Sequence, residues 1–270
     1  MPDNPNSLIP QVRYTIAVAS GKGGVGKSTV AANLAVALHA TGAAVGLMDT
    51  DVYGPSVPTL MGGNTAPHVI EGKIDPPVEF GIKIISMAYF LPKDEAIIWR
   101  GPMLHKTVRQ FLGDVRWGEL DYLVMDLPPG TGDIQLSLSQ TILLTGAVIV
   151  STPQDLALAV ASKAIAMFRK LNVPILGIVE NMSTFICPHC GEREDIFGHG
   201  GARQAAEEIA VPFLGEIPLN TAVRLASDSG RPIALDKNSP NGKAFREVAE
   251  ALVEQVRLLS EQSAQGVKIQ

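Results

Sequence analysis

The stretch that most constrains this chain is residues 21–29, GKGGVGKST. The apolar residues 14–19 before it read as a strand, and VAANLAVAL at 30–38 after it reads as a helix. Gly21, Gly26, Lys27 and Ser28 fill the fixed positions of G-x-x-x-x-G-K-[ST], in the strand–loop–helix context that the pattern requires. Glycines let successive backbone N–H groups turn inward around phosphate oxygens, where side chains would block them. The helix that follows aims its positive end at the same anion. Gly21, Lys22, Gly23, Gly24, Val25, Gly26, Lys27, Ser28 and Thr29 are therefore read as a nucleotide-phosphate cradle. Lys27 is expected on the β- and γ-phosphates and Ser28 on Mg²⁺.

Lys22 adds to this. An ordinary phosphate loop does not need a second lysine directly after its first glycine. The loop resembles the deviant Walker A motif of the MinD and nitrogenase-iron-protein class. In that class the early lysine reaches the phosphate held by a partner subunit. The resemblance implies a face-to-face homodimer in which Lys22 adds positive charge at the γ-phosphate, as an arginine finger does.

Runs rich in Val, Ile and Leu recur at 14–19, 44–49, 82–87, 121–126, 146–151, 175–180 and 213–217. Helical patterns lie between most of them, at 28–41, 101–113, 134–144, 155–170, 201–210 and 220–228, with a last one at 241–260. Continuous apolar strands alternating with helices predict an α/β class, a three-layer P-loop NTPase fold with a mainly parallel sheet and helices on both faces. Residues 1–13 are expected as a flexible leader, 14–260 as a single ATPase domain and 261–270 as a flexible tail. Ligand sites in such folds gather at the carboxyl ends of the strands, and each motif below follows a strand.

After 44–48 come Asp49, Thr50 and Asp51, then Gly54 and Pro55. Two carboxylates at a strand end can serve a Mg²⁺ and an attacking water. Asp51 is assigned to orienting the water and Asp49 to the Ser28–Mg²⁺ network. After 122–125, Asp126 opens DLPPGTGD. An acid ending an apolar strand is a Walker B position that holds Mg²⁺ directly or through water. After 175–180, Asn181 is placed to hydrogen-bond the adenine edge. Met182 breaks the Asn-Lys-x-Asp pattern of a guanine reader, which favours ATP over GTP. Pro218, after the strand expected at 213–217, is assigned to packing against the base.

The two cysteines of the chain, Cys187 and Cys190, stand in CPHCG with C-x₂-C spacing. That spacing can put two thiolates on one Zn²⁺ or iron–sulfur site. Sulfur sites usually need four ligands, and two subunits across a two-fold axis supply four. A redox pair, an inert loop and a structural zinc are the alternatives. No thioredoxin-like pattern surrounds the pair, which disfavours the first.

The 270 residues carry 46% hydrophobic and 18% charged side chains and a net charge of −5. That composition supports a sizeable core. The sequence pI is near 5.6, and there is no Lys/Arg cluster, so neither nucleic acid nor an acidic membrane is expected as a partner. No apolar signal segment opens the chain, and a cytoplasmic location is expected. The last helical pattern has one apolar stripe, Phe245, Val248, Ala249, Leu252, Val256 and Leu259. It reads as core-docking and not as a basic membrane anchor.

Taken together, GKGGVGKST, DTDVYGPS, DLPPGTGD, ENMS and CPHCG occur in the order seen in the Mrp/ApbC family. These are MinD-like P-loop ATPases that act as iron–sulfur cluster carriers or scaffolds. The resemblance spans roughly residues 14–258. It implies ATP on residues 21–29, Mg²⁺ at Ser28, and a [4Fe–4S] cluster bridging Cys187 and Cys190 of two subunits. It also implies a cluster donor scaffold and apo iron–sulfur proteins as partners. Hydrolysis would be slow without a client. A MinD/ParA-type spatial-positioning ATPase with a structural zinc is the competing reading.

Overall fold

The computed structural model describes residues 8–52, 54–63, 65–90, 101–130, 133–187 and 189–264. In chain order the first half holds β1 (Val12–Ala19), α1 (Lys27–His39), β2 (Val45–Asp49), α2 (Val57–Leu60), β3 (His68–Ile70), β4 (Lys73–Asp75), β5 (Val78–Glu79), β6 (Ile82–Ser86), α3 (Gly101–Gly113) and β7 (Leu120–Asp126). The second half holds α4 (Asp133–Thr141), β8 (Gly146–Ser151), α5 (Asp155–Lys170), β9 (Ile175–Ile186), β10 (Arg193–Glu194), α6 (Gly201–Glu208), β11 (Phe213–Leu219), α7 (Thr221–Asp228) and α8 (Pro240–Ala264).

The main sheet runs β10-β9-β8-β1-β7-β2-β6-β5, and β11 also pairs with β9. β1 lies at its centre, parallel to β7 and to β8. Parallel pairing continues through β2, β6, β9 and β11, while the short β5 and β10 run antiparallel to their neighbours. β3 and β4 form a separate hairpin.

The central strands are apolar without alternation because both faces are covered. Ala17, Met125 and Ile149 pack into one core with residues of α3 to α6. Ile16, Val18, Val124 and Val148 point the other way, into a core with α1 and α8. Adjacent strand residues thus feed opposite cores, as the two-residue period of a strand demands. α1 lies in the second core, with every residue from Val30 to Leu38 buried. Phe245, Val248, Ala249, Leu252 and Val256 of α8 share that core.

All seven apolar runs form strands, and the seven helical patterns form helices. Many boundaries shift by a residue or more, and four of these shifts matter here. β1 starts at Val12, and Ile9 is buried, so the packed structure reaches into the expected leader; residues 1–7 lie outside the described residues. α8 runs to Ala264, into the expected tail, of which 265–270 lie outside the described residues. β9 does not end at 180 but continues to Ile186, and β11 continues through Pro218 to Leu219. Polar residues interrupt the apolar run of β9, and Pro218, which lacks an N–H for the ladder, reads as the end of β11, while hydrogen-bonded neighbours carry both strands onward.

Strand register sets the functional edge. Val18 and Asp49 both stand level with Asp126. The loops that follow β1, β2 and β7 therefore leave the sheet side by side.

The α8 stripe should matter in proportion to its burial. Phe245→Ala should destabilise the protein by about 3–5 kcal/mol, read as a lower denaturant midpoint at unchanged slope. A loss below about 1 kcal/mol would show that α8 does not close the core.

Candidate nucleotide site and cysteine turn

The loop between β1 and α1 is built around glycine. Gly24 and Gly26 sit at φ 80° and 77°, the left-handed region that side chains disfavour. A Cβ on Gly26 would also collide with Asn181 Nδ2. The loop lines an open cleft of about 310 Å³ together with Asp51, Ser56, Leu60 and Pro129.

Lys27, the first residue of α1, is 6% exposed. Its Nζ donates to Asp126 Oδ1 at 2.5 Å and to Ser28 Oγ at 3.3 Å, and lies 3.8 Å from Asp51 Oδ2. The sequence-expected Lys27, Ser28, Asp51 and Asp126 are thus brought together. Asp126 Oδ2 is buried and has no hydrogen-bond partner among the described residues. A buried, unsatisfied carboxylate oxygen near the Ser28 hydroxyl is a hard-oxygen pair that suits Mg²⁺. Burial pushes the Asp126 carboxyl up, against the opposing pull of Lys27.

Asp49 is fully buried and spends both oxygens, on its own turn and on Ser86 of β6. Oδ1 accepts from the Asp51 amide at 3.0 Å, and Oδ2 accepts from the Val57 amide at 3.2 Å and from Ser86 Oγ at 2.8 Å. It braces the loop that presents Asp51. Burial, then the neighbouring Asp126 charge, raises its pKa to about 7. The Thr50 amide and hydroxyl both donate to the Asp126 carbonyl, locking the ends of β2 and β7 together.

Lys22 stands at the cleft rim, and its Nζ donates to Gln154 Oε1 at 3.1 Å. The loop after Asp126 is tied to the phosphate loop by the Gly130 amide donating to the Ser20 carbonyl. Gln135, wholly buried on α4, donates to the carbonyls of Pro128 and Gly130. Gln135 and Gln154 were not singled out from sequence. The usable signal is position: Gln135 follows DLPPGTGD, and Gln154 lies just past the end of β8.

The two residues expected at the base lie within strands. Asn181 lies inside β9, 7% exposed, with Nδ2 donating to the Val25 carbonyl at 2.8 Å. Pro218 lies inside β11. Neither lines the cleft. Asn181 is tied to the phosphate loop, because β9 continues past the point where the apolar run stops.

Cys187 and Cys190 form the turn of the β9–β10 hairpin. The Cys187 amide donates to the Glu192 carbonyl, and the Gly191 amide to the Cys187 carbonyl, both at 2.9 Å. Cys187 is partly exposed and Cys190 exposed, and neither is in a disulfide. The backbone amide of Cys190, then that of His189, points at the Cys187 sulfur and holds its pKa below the ordinary thiol value. N–H groups aimed at a sulfur favour the thiolate, the form that binds metal.

A parallel sheet with a glycine cradle at the end of its central strand, a buried lysine and a strand-end aspartate define a P-loop NTPase. The family described as ParA, NUBPL iron-transfer P-loop NTPase, matches residues 11–253, and this chain belongs to it. An iron-sulfur cluster carrier protein of Deinococcus radiodurans is 54% identical over 258 residues, covering 94% of this chain and 73% of that one. A protein of the same description from Pyrococcus furiosus is 48% identical, covering 91% of this chain and 87% of that one. Among solved structures, a nucleotide-binding protein of Archaeoglobus fulgidus in complex with ADP is 42% identical with a TM-score of 0.77, covering 90% and 95% of the two chains. The cell division ATPase MinD of Pyrococcus furiosus shares the fold at 22% identity, with a TM-score of 0.66 and coverage of 89% and 98%.

Two pH effects follow. Asp49 is more easily protonated folded, at about 7, than at its ordinary 3.8, so its contribution favours folding at low pH and is lost as pH rises through about 7. In urea unfolding without metal or nucleotide, wild-type stability minus that of Asp49→Asn should fall as pH rises between those two values; a flat difference refutes the assignment. For the second, the alkylation rate of Cys187 in reduced, metal-free protein should inflect below the ordinary thiol value of 9.0. An inflection at or above that value would mean the turn does not activate the sulfur.

Proposed function

We propose that this chain is a homodimeric ATPase that carries an iron–sulfur cluster between its subunits and delivers it to apo-proteins. One observation carries the reading: a phosphate cradle with a buried Lys27–Asp126 pair shares a chain with an exposed C-x₂-C turn whose amides favour thiolate. Membership of an iron-transfer family, and relatives named as iron–sulfur cluster carriers, support it.

In this reading the amides of residues 21–29 hold the ATP phosphates, and Lys27 turns from Asp126 toward their oxygens. Ser28 and Asp126 hold Mg²⁺, with Asp49 bracing the loop beside them. Bound Mg²⁺ neutralises charge on the phosphate oxygens. Asp51 accepts a hydrogen bond from the attacking water and orients it in line with the β–γ bond. The oxygen–phosphorus bond to the γ-phosphoryl breaks, ADP leaves with the electron pair, and the water proton ends on the phosphate. Lys22 exchanges Gln154 for a phosphate in the partner subunit and stabilises the charge that builds there. Cys187 and Cys190 of two subunits supply four thiolates to a [4Fe–4S] cargo received from a donor scaffold. The work of the dimer is then cytoplasmic and needs neither membrane nor nucleic acid. No helix among the described residues is long and apolar enough to cross a membrane.

A spatial-positioning ATPase with a structural zinc shares the fold and Lys22 and would also use the Cys187 thiolate, on zinc instead of iron. Anaerobic reconstitution separates the two. Wild type should gain a broad absorbance near roughly 400 nm and about four irons per dimer, both lost in Cys187→Ser/Cys190→Ser. Lys27→Ala should cut ATP hydrolysis by about 100-fold or more while leaving reconstitution intact. Colourless wild-type protein with stoichiometric zinc would overturn the carrier reading.

A further inference from the structure

β9 passes beneath the phosphate loop and ends at the cysteine turn, and its geometry between the two is unusual. At the loop, Asn181 donates to the Val25 carbonyl at 2.8 Å, and Gly26 is packed so closely on the same amide that a Cβ there has no room. The Val25 carbonyl and the Gly26 N–H belong to one rigid peptide plane. An anion that engages the Gly26 N–H therefore re-aims the carbonyl that Asn181 holds.

One residue earlier the strand is anchored. The buried Glu180 accepts the amides of Gly200 at 3.1 Å and Ala202 at 2.8 Å, where α6 begins. One residue later the ladder with β11 breaks. Asn181 pairs with Ile217, and the next pair is Phe185 with Leu219, so four steps on β9 match two on β11. Met182 takes φ 58°, in the left-handed region. Such a bulge leaves residues without ladder partners and bends the strand. Past it, Phe185 and Ile186 pair with Glu194 and Arg193, and Cys187 follows directly. From Asn181 to Cys187 is six residues, about 20 Å of extended chain.

We propose that Asn181 is a positioning residue that transmits the state of the phosphate loop along β9 to the cysteine turn, with the bulge at 182–184 as the pivot. This rests on the reading of residues 21–29 as the nucleotide cradle and of Cys187 and Cys190 as the cargo site. Rotation of the Val25–Gly26 peptide pulls on the Asn181 amide. The Glu180 anchor stops the strand from yielding behind it, so the displacement is taken up at the bulge and re-orients the hairpin that carries both sulfurs. Coupling of this kind is reciprocal: a ligand on the sulfurs changes nucleotide affinity by the same factor.

The test reads the sulfurs directly and needs no cluster. In reduced, metal-free protein, iodoacetamide alkylation of Cys187 is timed by mass spectrometry, without nucleotide and with a saturating non-hydrolysable ATP analogue and Mg²⁺. Saturation is set by titrating each variant, and rates are compared in one oligomeric state fixed by sizing. Wild type should show a change of about fivefold. Asn181→Leu keeps the volume but removes the donor, and should bring the ratio to about one. Met182→Gly relieves the positive φ and softens the pivot, and should lower the ratio with the Val25 contact intact. Should Asn181→Leu fail to fold, Met182→Gly supplies the same readout. A wild-type rate indifferent to nucleotide, or a ratio unchanged in the folded variants, overturns the proposal. Failure of cluster reconstitution with the alkylation ratio intact would remove the cargo reading and leave the coupling standing.

Discussion

One ammonium group organises the molecule. Lys27 is buried with Asp126 in direct contact and Asp51 close by, while Asp49 lies beneath them. Three carboxylates at the edge of a low-dielectric sheet repel one another and are costly to bury uncompensated. Lys27 offsets part of that cost, and a divalent cation beside Asp126 suits the negative charge left over. The arrangement couples loops that are distant in sequence, because α1, β2 and β7 each present one of these groups at the same level.

The sheet makes this possible. A parallel sheet covered by helices on both faces needs its central strands apolar throughout, so polar chemistry is expelled to the strand ends. Parallel direction places those ends on one edge, and the register that sets Val18 and Asp49 level with Asp126 fixes which residues meet there. The cysteine turn obeys a different logic. It projects from the sheet on a two-stranded hairpin, where its sulfurs stay accessible while the amides of Cys190 and His189 favour the charge on Cys187. One site is buried, which strengthens the interaction among its charges, and the other is exposed. β9 is the strand that touches both.

Much of this was legible in the sequence. The strand–glycine loop–helix pattern located the cradle because each of its residue types has one physical job. Continuous apolar runs named seven strands, and polar residues at their ends named Lys27, Ser28, Asp51 and Asp126. Helix periodicity placed α3 and α5 at their observed bounds and found the buried stripe of α8. The C-x₂-C spacing marked the cysteine turn because two sulfurs must converge within one turn of chain.

Side-chain partners were decided only by the tertiary structure. Asn181 looks like a residue after a strand, yet pairing with β11 carries β9 past it and turns its amide onto Val25. Asp49 looks like an open ligand, yet its oxygens are spent on amides supplied by the turn it starts and on Ser86 from β6. Gln135 and Gln154 carry no motif, and their roles come from the loops that fold over them. Local pattern records what a residue can do through propensity and spacing. Which partner it meets depends on register and on how far neighbouring strands extend, and these are set by contacts between segments far apart in the chain.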